Sequence, residues 1–147
     1  MALDLPQVTD ISHLIQSALA PVFLLSGVGV TLGVMTGRLA RAVDRARHLE
    51  EKLLKHPADA RQIHEDLAIL ARRVTYIHAA ITMCGCSAVL IALVVITLFA
   101  NAFFGSGLAG VIAMLFVASM VFVTGAYLAF LLEVRLATRN MRIGPEK

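Results

Sequence analysis

Apolar and polar positions in this chain separate into long blocks instead of alternating, and the blocks predict long helices. Residues 11–37 contain no Asp, Glu, Lys or Arg, and neither do residues 74–132. A bilayer core about 30 Å thick is crossed by roughly 20 helical residues. The first uncharged stretch therefore predicts one span, about 11–37. The second predicts two, about 75–101 and 108–133, with a turn at Asn101-Ala-Phe-Phe-Gly-Ser-Gly107. A charge at the centre of a span costs about 2.5–3.5 kcal/mol on insertion scales, which explains why both stretches lack one.

Between the stretches the periodicity stays helical. Leu39, Ala42, Ala46, Leu49 and Leu53 recur at spacings of three and four and mark one apolar stripe. Lys55-His56-Pro57-Ala58-Asp59 interrupts it, with Pro57 suited to the first turn of a new helix. Ile63, Leu67, Leu70, Val74, Ile77 and Ile81 then form a heptad seam leading into the second span. The expected fold is an all-α membrane protein, a single integral domain over residues 1–147. It has three transmembrane helices, a long cytoplasmic antiparallel helical hairpin (about 38–74) between spans one and two, and a cytoplasmic tail over 134–147.

Composition narrows the class. The chain has 147 residues, 59% hydrophobic and only 16% charged, far below the quarter that covers an ordinary soluble domain. Two neighbouring cysteines do not make a disulfide-stapled module. The net charge of +3 is a matter of placement: every Lys and Arg lies either between Arg38 and Arg73 or between Arg135 and Lys147. The positive-inside rule puts both segments in the cytoplasm and the N-terminus outside. The first span lacks a basic leader, so it is expected to be kept, not cleaved as a signal peptide.

Two faces of the first helix stand out. Gly29, Gly33 and Gly37 form a ridge of small residues that lets another helix approach, either from the same chain or from a second copy. At 100° per residue, another face collects His13, Gln16, Ser17, Ala20, Leu24, Gly27, Thr31, Arg38, Arg41 and Arg45. Polar groups within a span usually face protein or a water-filled cavity, so copies of this stripe around an axis would line a pore with an arginine-ringed inner mouth. The alternative is that Ser and Thr bond their own backbone, His13 and Gln16 sit at the outer interface, and the arginines meet anionic lipid. Pro21, with Gly27 and Gly29, is a candidate hinge.

Few residues suggest chemistry. Cys84 and Cys86 point to opposite sides of a helix and read as packing residues. His48, His56, His64 and His78 match no zinc spacing. Glu133 reads as an ion-pair partner of Arg135 or of a hairpin arginine. No catalytic, metal or cofactor site is expected, and no nucleic-acid partner, because topology accounts for the basic charge.

Ala20-Pro-Val-Phe-Leu-Leu-Ser-Gly27 followed by Gly37-Arg-Leu-Ala-Arg-Ala-Val-Asp-Arg-Ala-Arg47 resembles a family of small bacterial membrane proteins, DUF2721, over nearly the whole chain. The resemblance implies a bacterial inner-membrane protein and supplies no catalytic residues. It draws notice to Asp44 among four arginines, where ion pairs would fix the exit of the first span. Two functions follow from the residues: a homo-oligomeric ion channel or pore lined by the first helix, passing a small ion, or a non-conducting scaffold or sensor. In the second, the cytoplasmic hairpin docks a protein partner or anionic lipid.

Overall fold

A computed structural model describes residues 8–55, 60–105 and 107–139, with side chains described from Ile11 to Thr138. The interruption at His56–Asp59, including the Pro57 start, and the tail beyond Arg139 lie outside the described residues. Three helices account for nearly all of the described chain: α1 (Val8–Lys55), α2 (Ala60–Phe104) and α3 (Ala109–Arg139). Each is long and apolar enough to cross a membrane, with mean hydropathy of 2.0, 2.6 and 2.2 over its most apolar stretch. No strand occurs among the described residues. α1 continues as helix through Pro21.

Burial recurs every seven residues along each helix, the 3.5-residue period of knobs-into-holes packing. Pro21, Val28, Met35 and Ala42 are buried on α1. Ile63, Leu70, Ile77, Cys84 and Ile91 are buried on α2, and Ser119, Ala126 and Glu133 on α3. The seam expected along α2 is therefore present: Ile63, Leu70 and Ile77 are buried, and Leu67, Val74 and Ile81 half-buried. Further along α2 a second set joins it, Ala80, Ser87 and Val94, again seven apart.

The chain divides into two compact units. The first comprises the chain up to Thr31 with Cys84–Val123. Ser87, fully buried, donates its hydroxyl to the Ser119 carbonyl at 3.0 Å, and the Ser119 hydroxyl turns to the Phe116 carbonyl at 2.7 Å. The Cys84 thiol lies 3.7 Å from the Val28 carbonyl. The turn after α2 is built on Asn101. Gly105 takes a left-handed φ of 57° and returns its N–H to the Asn101 carbonyl at 3.0 Å, an αL helix stop. The Asn101 side-chain oxygen accepts the Leu108 N–H at 2.9 Å, and the Leu108 carbonyl begins α3 by accepting the Ile112 N–H.

The second unit comprises Leu32–Met83 with the chain from Thr124 onward. Here α1 and α2 run in opposite directions. Arg38 and Arg73 reach the same carboxylate, whereas Arg45 and Leu49 share a recess with Asp66 and Leu70. The apolar stripe expected on this part of α1 faces inward, with Ala42 buried and Leu39, Ala46, Leu49 and Leu53 half-buried. Among the described glycines, Gly125 is the one with a close neighbour. A Cβ there would collide with the end of the Met83 side chain.

Candidate functional site

The inward face of α3 reads Ser119, Ala126, Glu133 at seven-residue spacing, so Glu133 occupies a position where packing calls for an apolar residue. Its side chain has no exposure to solvent. A bare carboxylate there would lose its hydration without compensation. Two guanidiniums supply the compensation. Arg38 on α1 donates Nη2–H to Oε2 at 2.7 Å, and Arg73 on α2 donates from Nη2 and Nε to Oε1 at 2.9 and 3.2 Å. Both arginines lie three residues beyond a buried seam residue, Met35 and Leu70 respectively, which places them at the edge of the core. They are 28% and 25% exposed, so the cationic side of the cluster keeps some access to water while the carboxylate has none.

Phe130, one turn before Glu133 on α3, completes the cluster: the Arg38 guanidinium lies over its ring, 5.2 Å from the centroid. The planar guanidinium bonds in its own plane and stacks on its face, a combination that lysine cannot reproduce. With both carboxylate oxygens engaged, the arrangement is a clamp joining three helices. Two cations against one anion leave it net positive. Of the two partners expected for Glu133, Arg135 or a hairpin arginine, the pairs formed are with Arg38 and Arg73; the use of two arginines at once and the part of Phe130 were not legible in the sequence. The seven-residue spacing on α3 is the signal that would have found the buried carboxylate.

His13, Gln16, Ser17, Ala20 and Gly27 are exposed on α1, and Leu24 and Thr31 are half-buried. The Ser17 hydroxyl bonds the His13 carbonyl at 2.9 Å and the Thr31 hydroxyl bonds the Gly27 carbonyl at 3.0 Å, so both are satisfied within the helix. In the second unit Arg41 and Arg45 are exposed, while Arg38 is held by Glu133 and Phe130. Among the hinge candidates Pro21 is buried, and Gly27 and Gly29 are exposed. Gly29, Gly33 and Gly37 are all exposed, and a Cβ added at any of them would meet nothing within 4 Å. Among the described residues, no other helix comes within contact distance of that ridge.

Other candidates are quickly placed. Cys84 is buried and Cys86 exposed, as expected for residues on opposite sides of a helix. His13, His48, His64 and His78 are exposed, and His56 lies outside the described residues. No three His, Cys, Asp or Glu side chains gather into a metal site among the described residues. Asp44 is exposed and makes no ion pair among the described residues, so the expected tie between Asp44 and its neighbouring arginines is replaced by the Glu133 clamp.

Comparison with known proteins gives a family match. A family described as protein of unknown function (DUF2721) matches residues 18–143, all but the two ends of the chain. No curated protein and no solved structure matches. The chain belongs to the DUF2721 family.

Proposed function

We propose that this DUF2721 member is a homo-oligomeric pore of the bacterial inner membrane, lined by α1 and passing a small ion. In this reading residues 11–37, 75–101 and 108–133 cross the bilayer. Residues 38–74 form a cytoplasmic antiparallel hairpin, the N-terminus faces outward and the tail is cytoplasmic. The orientation rests on the confinement of every basic residue to the hairpin and the tail.

The observation that carries the reading is that two faces of α1 in the first unit lack intrachain cover among the described residues. His13, Gln16, Ser17, Ala20 and Gly27 are exposed on one face, and Gly29 is open on another. Additional copies of the chain would cover the glycine face and bring the polar face to a shared axis. Planar-bilayer recordings of the purified protein test it. Single-channel currents are expected, with conductance changed by Ala20→Asp, a substitution at an exposed position. Silent bilayers across voltage, or currents indifferent to Ala20→Asp, overturn the pore.

A second reading, a non-conducting scaffold or sensor, is favoured by the exposure of Arg41, Arg45, Arg47 and Arg72 in the second unit, where they are open to a partner. It predicts that charge removal there abolishes capture of a cytoplasmic partner while Ala20→Asp leaves capture unchanged.

A further inference from the structure

One cavity in the second unit is lined mainly by cations. Its volume is about 380 Å³, and its walls are Arg38, Arg41, Ala42 and Arg45 of α1 with Leu70 and Arg73 of α2. Four of these six residues are arginines and none is acidic. The volume falls at the small end of ligand sites, suited to a headgroup-sized molecule.

The four arginines are not equivalent. Arg38 and Arg73 are fixed by Glu133, which orients them and neutralises one of their two charges. Arg41 and Arg45 make no ion pair among the described residues, although Asp44 is their neighbour in sequence. Their i,i+4 spacing places both side chains on one face of α1, one turn apart. Besides Glu133, Asp66 is the acid that adjoins the cluster: it lines a neighbouring recess that shares Arg45, Leu70 and Arg73. Even with Asp66 counted against it, the cluster keeps a positive excess.

We propose that this cavity binds a phosphate group, with Arg41 and Arg45 as the principal ligands and the clamped Arg38 and Arg73 as the fixed rear wall. Guanidinium forks match phosphate oxygens two at a time, and the half-buried Arg38 and Arg73 attract an oxyanion more strongly than the same groups in open water. The pre-ordered rear pair adds no ordering cost on binding. Ala42 and Leu70 supply the small apolar surface against which a glycerol or alkyl stem can lie. The chemistry is shared by an anionic lipid headgroup and by a free phosphate. It goes beyond the pore reading, since a silent protein can hold the ligand and a conducting one can lack it.

The test uses the full chain in two arms. In phosphatidylcholine nanodiscs with or without phosphatidylglycerol, native mass spectrometry reads retained lipid; in neutral detergent, calorimetry reads binding of inorganic phosphate. The wild type is expected to retain phosphatidylglycerol over phosphatidylcholine, to bind phosphate, or both. The R41Q/R45Q variant should weaken that binding about thirtyfold. K52Q/R61Q removes the same charge from exposed basic residues outside this cavity and is expected to bind as the wild type does. Circular dichroism confirms that both variants are folded. Lipid retention alone identifies a headgroup, and phosphate binding alone a soluble ligand. Binding in neither arm, or equal weakening in both variants, overturns the site.

Discussion

The two compact units join their helices by opposite means. From residue 11 onward the first unit contains no Asp, Glu, Lys or Arg. Its helices meet through a serine hydroxyl on a carbonyl, a thiol near a carbonyl, and small or β-branched side chains. The second unit holds every other charge of the described chain past Asp10, and its central contact is a carboxylate between two guanidiniums. The contrast follows from what each segment can afford in a low-dielectric surrounding. A neutral hydroxyl finds a partner on its own backbone or the next helix, so leaving or moving it costs little. An ionised carboxylate has no such fallback, so its contacts fix which residues meet.

The largest expected effect breaks the charged side of this comparison. Glu133→Gln should lower stability by about 3 kcal/mol, the low end for removing one partner of a buried ion pair, because both arginines keep partial access to water. Reversible unfolding in mixed micelles measures it. Arg38→Lys keeps the charge but loses the fork and the stacking on Phe130. A loss of about 1 kcal/mol is expected by the same assay, and a value near zero would show that Phe130 is a bystander. On the neutral side, Ser87→Ala should cost only about 0.6 kcal/mol, the average for an interhelical hydrogen bond in a membrane protein. If Ser87→Ala matched Glu133→Gln, the contrast between the units would fail. Smallest of all, Lys55→Ala removes an exposed pair with Glu51 and should change stability by about 0.3 kcal/mol, vanishing at high salt.

How much of this was legible in the sequence depends on whether a residue acts within its own helix or across helices. The uncharged stretches announce three apolar helices because insertion penalises charges strongly enough to leave a mark in composition. The α2 seam and the Asn101–Gly107 turn were also readable, since heptad spacing and paired glycines are local signals. The glycines were harder. Gly29, Gly33 and Gly37 have the spacing of a packing ridge, yet Gly125, with no such pattern around it, is the one that sits against Met83. Which glycine matters is decided by the neighbouring helix, and nothing within its own helix records that. Likewise Arg38 falls on the polar stripe of a helical wheel, but a wheel carries no information about Glu133, 95 positions away. Asp44 looked like the natural partner for the arginines because it is close in sequence; Glu133 holds that place because it is close in space.

The clamp also imposes an order on biogenesis. Arg38 and Arg73 leave the ribosome well before Glu133, so the first two helices are made with their cations unanswered, and the third brings the counter-charge last. A nascent chain that stops short of residue 133 lacks the buried carboxylate that bridges the two guanidiniums, a chemical mark by which an incomplete product differs from a finished one.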